Sequence, residues 1–363
     1  MTAVQPIDIA PVVPPRPAKR WFNLSPLDRR RIAIFRANRR GWWSLWIFTG
    51  LFLISMFSEL IANDKPLLVI YKGGYYTPFA TFYPETAFGG DFETEAEYRD
   101  PFLLQQIKEA NGTVIWPIVP YKYDTIIRDL PTPPPSPPSS KNWLGTDDHA
   151  RDVLARVLYG YRISIEFGLL LTIFTSIIGI AAGAFQGYFG GWTDLVFQRV
   201  IEVWGSMPSL YILIIVASVL PTGFWILLAI NVVFGWTTLV GYVRAEFLRG
   251  RNLEYVRAAK AMGLSNLQVM FRHILPNALV STITNLPFIT SASITTLTSL
   301  DFLGFGLPVG SPSLGELLGQ AKSNLQATWL IATIFITLSL MLTLLVFIGE
   351  ATRDALDPRK TLQ

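Results

Sequence analysis

The chain has 363 residues, of which 51% are hydrophobic and only 15% are charged, and its formal net charge is +4. A soluble domain is typically about 25% charged, so this composition indicates an integral membrane protein. The sequence has no cysteine, which excludes disulfides and thiolate chemistry, and the spacing of its two histidines argues against a metal site. The basic residues lie near the ends of apolar runs, which indicates membrane topology and argues against a nucleic-acid partner.

The N-terminal segment predicts a cytoplasmic start. Residues 1–40 carry nine Lys/Arg and two Asp, an excess typical of segments that remain in the cytoplasm. The apolar run at 41–62 predicts the first transmembrane helix. Residues 63–162 then form a large periplasmic region with a Pro-rich spacer at 131–138 and an amphipathic lead-in helix before residue 163. Its acidic stretch is typical of a solvated loop, and the alternative is a surface for cationic cargo or a partner.

The rest of the chain predicts a membrane-embedded core. Residues 163–350 contain five further crossings, joined by a cytoplasmic loop at 244–277 and followed by a cytoplasmic tail at 351–363. These crossings are predicted at 163–185, 194–220 with a kink at Pro208, 224–243, 278–300 and 330–348. The predicted fold class is therefore all-α: a polytopic membrane protein with six transmembrane helices, a large periplasmic insertion between the first and second, and both termini in the cytoplasm.

Residues 254–277, EYVRAAKAMGLSNLQVMFRHILPN, predict two short helices joined by a sharp turn, which we call the corner. Gly263 closes the first helix because glycine adopts the left-handed conformation without a Cβ clash. Ser265 and Gln268 have the spacing of a capping box at the start of the second helix. Pro276 predicts that this helix ends near residue 273 or 274. On the first helix, one predicted arc is charged and the opposite one apolar: Glu254, Arg257 and Lys260 against Tyr255, Ala258, Ala259 and Met262.

The corner resembles the loop by which permease subunits of ATP-binding-cassette (ABC) importers dock onto their ATPases. That loop reads Glu-Ala-Ala, three residues, Gly, nine residues, Ile, one residue, Leu-Pro. This sequence has Arg257 in place of the Glu and His273 in place of the Ile, and Glu254 lies one turn before Arg257. The resemblance implies a set of ATPase-coupling residues: Glu254, Tyr255, Arg257, Ala258, Ala259, Met262, Gly263, Leu275 and Pro276.

The predicted fifth crossing is the least apolar. It contains ten Ser/Thr residues and one Asn between 278 and 300, and such side chains need partners in protein or a wet cavity when they lie in lipid. Two interpretations stay open: these residues line a translocation path, or they hold helices together. The candidate path residues are Ser281, Thr284, Asn285, Ser291, Thr295 and Thr298.

The chain has no motif for its own energy source or catalysis. It contains no Gly-Lys pair and so no phosphate-binding Walker A loop, and it lacks a GxSxG motif and a Cys/His nucleophile pair. We therefore expect a non-enzymatic subunit that binds no cofactor, with ATP and magnesium bound by a partner ATPase.

From residue 144 onward the chain resembles the C-type membrane subunits of dipeptide and oligopeptide importers (OppC- and DppC-like). LGTDDHARD (144–152) is similar to their LGTD-x-x-GRD segment, with Ala150 in place of the Gly. YPETAFGGDFETEAEYRDPF (83–102) is similar to the same region in membrane subunits of Yej-type peptide importers.

The resemblance implies a type I ABC importer permease in a bacterial inner membrane. It also implies several partners: a paralogous permease subunit in a heterodimer, ABC ATPase subunits or one fused double ATPase, a periplasmic substrate-binding protein and the lipid bilayer. The implied cargo is oligopeptides, including peptide antibiotics such as microcin C-like compounds.

Two other functions stay open on the sequence alone. One is an importer permease for another solute, such as nickel or a sugar. The other is a membrane-anchored binding or sensor protein whose periplasmic region binds a ligand while the helices only hold it in place.

Overall fold

The structure, a computed structural model, describes residues 25–220 and 223–357. The predicted N-terminal segment up to residue 24 and the tail from residue 358 lie outside the described residues. The helices are α1 (Pro26–Ala37), α2 (Arg39–Met56), α3 (Ser58–Ile61), α4 (Pro101–Glu109), α5 (Val153–Phe189), α6 (Gly191–Ser206), α7 (Ser209–Val219), α8 (Phe224–Gly235), α9 (Thr237–Gly250), α10 (Glu254–Ala261), α11 (Asn266–Val269), α12 (Leu275–Ile283), α13 (Leu286–Phe302), α14 (Leu314–Ser323) and α15 (Thr328–Leu356). The strands are β1 (Leu68–Tyr71), β2 (Gly74–Tyr76) and β3 (Thr113–Ile115), and a 3₁₀ helix (Glu85–Phe88) and a π-helical turn (Met270–Ile274) complete the elements.

Three helical stretches within the described residues are long and apolar enough to cross a membrane: Val153–Phe189, Phe224–Gly250 and Thr328–Leu356. The pair Gly191–Ser206 and Ser209–Val216 is bent by 65° and makes a fourth if it is one span, which confirms the kink predicted at Pro208. The predicted crossings at 41–62 and 278–300 do not reach the same length and apolarity. In place of the first, the structure has α2, which begins two residues earlier with two arginines and ends at Met56, and the second is divided between α12 and α13.

Helix α5 is longer than the sequence predicts. The lead-in helix and the crossing predicted from residue 163 form one continuous helix of 37 residues, about 55 Å long at 1.5 Å per residue. Asp152 caps it by accepting a hydrogen bond from the Ala155 amide at 2.9 Å. The predicted boundary at 162 therefore falls inside a helix, as does the one at 350, because α15 continues to Leu356.

Glycines allow α5 and α9 to pack closely. Gly179, Gly183 and Gly187 are four residues apart and so lie on one face of α5. A Cβ atom on any of them would lie 2.6–2.7 Å from a backbone oxygen: that of Trp236, just before α9, or that of Val240 or Arg244 within α9. Small residues at this spacing let helix backbones approach each other in membranes. This contact holds α9, and the corner that follows it, against the C-terminal half of α5.

The hydrophobic core is divided among several clusters within the described residues. One joins α2, α5, α13, α14 and α15, and another joins α5, α7, α8 and α13. A third joins the C-terminal end of α5 to α9 and the corner. Helix α5 contributes to all three clusters, so it is the element against which the other helices are positioned.

The segment between α3 and α5, residues 62–152, is called the insertion here. It contains a three-stranded antiparallel sheet of order β2-β1-β3, with Val69 opposite both Tyr76 and Val114. This sheet corrects the prediction that the fold is all-α. The sheet and α4 bury their own core around Phe88 and Leu103, so the insertion is a folded unit and not only a solvated loop.

Candidate functional site

The corner has the local geometry that its sequence predicts. Gly263 has a φ of +83°, in the left-handed region that glycine adopts without strain. The Gln268 amide donates to Ser265 Oγ at 3.4 Å, and the Ser265 amide donates to Gln268 Oε1 at 3.0 Å. The predicted capping box is therefore confirmed, and it fixes the direction in which α11 leaves the turn.

The predicted end of the second helix is wrong. The chain stays helical through Pro276, because the π-helical turn Met270–Ile274 leads directly into α12, which has Pro276 in its first turn. A proline is tolerated there because the first amides of a helix need no partner within the helix. The corner thus continues without a break into α12, and Thr284 and Asn285 separate α12 from α13.

Only part of the predicted apolar arc of α10 packs inward. Val256 and Ala259 are buried, and they pack with Phe247 of α9 and Val269 of α11. Val256 was not among the predicted coupling residues, although it is the i−3 neighbour of Ala259. The predicted charged arc is exposed, but so are the other three members of the apolar arc: Tyr255, Ala258 and Met262.

Polar contacts fix the corner to the end of α5. Tyr188 of α5 donates to Asn266 Oδ1 at 2.8 Å, and the Lys260 Nζ atom lies 4.6 Å from the centre of the Tyr188 ring. On the other side of α10, Asn277 Nδ2 donates to the Tyr255 hydroxyl at 3.1 Å. These contacts connect the corner to α5 on one side and to α12 on the other.

The corner presents apolar side chains to its surroundings. Met262 is 74% exposed, Leu267 65%, Phe271 64% and Tyr255 43%. Glu254 and Arg257 are also exposed and form no ion pair among the described residues. Leu267 and Phe271 were not predicted as coupling residues. Their signal in the sequence is their spacing of four residues, which places them on one face of a helix whose other face holds Met270 and Ile274.

A cavity of about 680 Å³, the helix cavity, lies between α5, α7, α8, α9 and α13. Of the six predicted path residues, Asn285 and Thr295 line it. Thr295 also borders a separate smaller cavity with Thr298. The other three predicted path residues line neither cavity: Ser281, Thr284 and Ser291.

The polar lining of the helix cavity includes residues that the sequence reasoning missed. Asn231 and Thr238 contribute from α8 and α9, and Thr296 and Ser299 from α13. The signal on α13 is a stripe at helical spacing, from 285 through 288, 292, 296 and 299 to 303. Other hydroxyls of the same helix serve packing: Thr290 hydrogen-bonds Thr172 of α5 at 3.0 Å.

A group of buried charges, which we call the charged clamp, joins the start of α5 to α14. Arg151 donates to Asp147 Oδ2 at 2.7 Å and to Glu316 Oε1 at 2.9 Å, and Arg156 Nη2 lies 3.0 Å from Glu316 Oε2. The side chains of Asp147 and Arg156 are fully buried. The four charges alternate in sign, so each compensates its neighbours. The clamp holds the end of the insertion and the start of α5 against the first turn of α14.

Two features next to the clamp support the same arrangement. Burial raises the pKa of the Asp152 carboxyl, although hydrogen bonds from Asn142 and the Ala155 amide oppose this. Ala150 has a φ of +60°, in the left-handed region that favours glycine. The left-handed backbone at residue 150 therefore explains why related permeases have a glycine there, as the resemblance implies.

Comparison with known proteins defines the class. The sequence profile of the family described as "Binding-protein-dependent transport system inner membrane component" matches residues 176–362. This range begins within α5 and includes the corner and α13, which lines the helix cavity. The chain belongs to this family, so it is a membrane subunit of a binding-protein-dependent transport system, which also comprises a substrate-binding protein and an ATPase. It is a multi-pass protein of the inner membrane.

Particular relatives narrow the class. The chain is 53% identical over 387 aligned positions to "Peptidoglycan transport system permease protein YejE" of Agrobacterium fabrum, covering 100% of both chains. It is 58% identical over 340 positions to "Inner membrane ABC transporter permease protein YejE" of Escherichia coli, covering 94% of this chain and 99% of the relative. It is 33% identical over 231 positions to "Oligopeptide transport system permease protein OppC" of Lactococcus lactis, covering 62% of this chain and 78% of the relative. The first two relatives match the insertion as well as the helices.

Proposed function

We propose that this chain is a transmembrane subunit of an ABC importer that moves oligopeptides from the periplasm to the cytoplasm. Relatives that align along nearly the whole chain have names that refer to peptidoglycan transport and ABC permeases, and more distant ones are oligopeptide and dipeptide permeases. Peptide antibiotics of the microcin C type belong to the proposed cargo. The chain itself performs no chemistry on the peptide and binds no nucleotide, because ATP and magnesium bind the partner ATPase.

In the proposed topology the chain crosses the membrane six times. Crossings formed by α2, by the bent pair α6–α7 and by α12–α13 join the three supported by length and apolarity. In the proposed assembly these six crossings pack against a paralogous permease subunit. The insertion then lies in the periplasm, and the N-terminus, corner and C-terminus lie in the cytoplasm. The excess of Lys/Arg near both termini and the corner supports this orientation.

The observation that carries the proposal is the exposed apolar face of the corner. Rigidly held apolar side chains on an exposed surface indicate a contact with another protein. Met262, Leu267 and Phe271 provide that contact surface, and Tyr255 borders it. When nucleotide binding draws two ATPase domains together, their movement displaces the corner and with it α5 and α12. The helix cavity then changes its accessibility between the two faces of the membrane.

The docking role is tested by placing a charge in the proposed contact. Met262→Glu should reduce peptide-stimulated ATP hydrolysis and peptide uptake by the reconstituted complex at least about tenfold, because a carboxylate buried in an apolar contact costs several kcal/mol. The thermal stability of the isolated chain should stay unchanged, since Met262 is 74% exposed.

The matched control is Val309→Glu, which adds the same charge at a side chain that is 99% exposed on the loop between α13 and α14. This variant should hydrolyse ATP and take up peptide as the unmodified complex does. Normal coupling in Met262→Glu, or an equal loss in both variants, would show that the corner is not the docking surface.

The cargo path is tested separately at the helix cavity. Thr296→Trp fills space beside the lining residues of α8 and α9, so it should abolish peptide uptake while ATPase subunits still co-purify with the complex. An uptake panel of tripeptides, nickel and a sugar then identifies the cargo. Uptake of nickel or sugar without uptake of peptide would overturn the peptide assignment.

A further inference from the structure

The insertion contains a second large cavity, separate from the helix cavity. The insertion cavity has a volume of about 1020 Å³, at the upper end of the range of about 300–1,000 Å³ for small-ligand sites. It lies between the end of the acidic stretch, around residues 95–101, and the segment 121–142 that includes the Pro-rich spacer. Asp64 and Lys65 also line it, so its walls come from three parts of the insertion that are distant in sequence.

The charges that line this cavity are balanced but mostly unpaired. Arg99, Arg128 and Lys141 supply cations, and Asp64, Glu97 and Asp129 supply carboxylates. None of these six forms an ion pair among the described residues, whereas Lys65 and Glu95, which also line the cavity, pair with each other. Six unpaired charges of both signs around one cavity suit a ligand that carries both an ammonium and a carboxylate group.

Two buried polar atoms in the cavity wall have no partner in the described structure. The Tyr98 side chain is 4% exposed, and its hydroxyl forms no hydrogen bond. Arg99 Nη2 is likewise buried and unpartnered, although the guanidinium lies 4.7 Å from the centre of the Tyr121 ring. Leaving a buried donor without a partner is unfavourable, so a ligand that accepts from it gains by binding. Burial raises the pKa of Tyr98, so its hydroxyl remains a donor at neutral pH.

The cavity lies near the helix that also lines the helix cavity. Tyr121 and Ile127 of its wall pack against Ala155 and Tyr159 near the start of α5. Leu171, which lines the helix cavity, is twelve residues further along α5 than Tyr159, about 18 Å at 1.5 Å per residue. A ligand in the insertion cavity is therefore close to the outer end of the path that we propose for the cargo.

We propose that the insertion cavity is a binding site for short zwitterionic peptides. Arg99 and the other cations bind the C-terminal carboxylate, Glu97 and Asp129 bind the N-terminal ammonium, and the Tyr98 hydroxyl donates to a peptide carbonyl. This inference rests on the proposed peptide import for its ligand class. It adds a site on this subunit itself, outside the membrane-embedded path.

The test measures peptide binding to the purified full-length chain in detergent by isothermal titration calorimetry. The probes are trialanine, which has both terminal charges, and N-acetyl-trialanine amide, which has neither. Trialanine should bind, and the blocked peptide should bind at least about tenfold more weakly, since a hydrogen bond to a charged group contributes about 1.5–3 kcal/mol. Arg99→Gln should weaken trialanine binding about tenfold, and Tyr98→Phe about fivefold, because Phe keeps the ring packing and removes only the hydroxyl.

Lys108→Gln is the matched control, because Lys108 is an exposed cation on α4 that does not line the cavity. It should bind trialanine as the unmodified chain does. Undetectable trialanine binding, equal affinity for the blocked peptide, or unchanged affinity in both Arg99→Gln and Tyr98→Phe would each overturn the site.

Two further outcomes separate this site from its neighbours. Thr296→Trp, in the helix cavity, should leave trialanine affinity unchanged. Loss of binding in this variant alone would place the peptide in the helix cavity, which overturns the inference and leaves the proposed import intact. Arg99→Gln could weaken binding of the isolated substrate-binding protein to this chain while leaving trialanine binding unchanged. In that case the cavity is a docking surface and the inference is wrong.

Discussion

The two ends of α5 make contacts of different kinds. At its C-terminal end the corner packs through Val256 and Ala259 but leaves large apolar side chains, such as Met262 and Phe271, exposed. At its N-terminal end the charged clamp encloses its charges: Asp147 and Arg156 are fully buried. The corner leaves apolar surface uncovered, whereas each charge of the clamp has an oppositely charged partner within the chain.

This difference separates function from stability. An exposed apolar surface stabilises nothing until a partner covers it, so changes there should affect coupling and leave folding intact. A buried network of charges contributes to folding only while every member has its partner. The same helix thus holds, at one end, the surface that we propose docks onto another subunit and, at the other end, a contact within its own fold.

The largest effect on stability is expected at the clamp. Asp147→Asn removes the negative charge that lies between Arg151 and Arg156. Breaking a buried ion pair by removing one partner costs about 3–5 kcal/mol. We expect a corresponding loss in the free energy of unfolding of the purified chain, measured by denaturation in detergent.

The neighbouring Asp148→Asn is the matched control. Asp148 is partly exposed, and among the described residues its side chain meets one basic group, the exposed His149 ring, at 2.5 Å. Exposed pairs contribute less than about 1 kcal/mol, so this variant should unfold nearly as the unmodified chain does. Equal losses in the two variants would mean that the clamp does not stabilise the fold.

A second change at the same end should alter how stability depends on pH. Because burial raises the pKa of Asp152, the folded chain binds a proton more readily than the unfolded chain, whose Asp pKa is about 3.9. The free energy of unfolding should therefore fall as pH rises from that value through the raised pKa and then level off. Asp152→Asn keeps an N-cap residue of similar quality and should flatten this part of the curve.

The comparison for the pH curve is Asp91→Asn, which removes an exposed carboxylate of the insertion. Both variants are measured against the unmodified chain by unfolding at a series of pH values. An Asp152→Asn curve that runs parallel to the unmodified curve throughout would contradict the assignment.

At the corner, a stability effect should be smaller. Gly263→Ala places a Cβ at a φ of +83°, yet nothing lies within 4 Å of that atom. Only the strain of the left-handed conformation remains, about 1–2 kcal/mol, and reduced freedom of the unfolded chain offsets part of it. We expect a net loss of about 1 kcal/mol, measured by unfolding in detergent. A loss as large as that of Asp147→Asn would show that the corner also carries the fold.

The sequence predicts these two regions unequally, for a physical reason. The turn at Gly263 and the capping box of Ser265 and Gln268 depend on residues no more than three apart, so their pattern is visible in the sequence. The clamp joins Arg151 to Glu316, which are 165 residues apart, and no local spacing indicates such a pair.

Face assignments on α10 and α13 failed for a related reason. A helical wheel shows which residues share an arc, but neighbouring helices decide which arc is covered. Val256 is buried and Met262 is exposed because α9 and α11 contact only one narrow side of α10. On α13, Thr295 and Thr298 were predicted together, although only Thr295 lines the helix cavity. The insertion's sheet was missed because its strands have three or four residues each.

The smallest effect is expected at Ala150, where two costs oppose each other. Its φ of +60° strains an alanine by about 1–2 kcal/mol, so Ala150→Gly relieves strain. The same change removes a buried methyl group, worth about 0.8 kcal/mol, and increases the freedom of the unfolded chain. We expect the free energy of unfolding to change by less than about 0.5 kcal/mol.

The control is Ala155→Gly, at a fully buried position in the first turn of α5. It removes a methyl group of the same size without relieving strain, so the free energy of unfolding should fall by about 1–2 kcal/mol. Equal losses at the two positions would show that the backbone at residue 150 is not strained, and the preference for glycine there would need another cause.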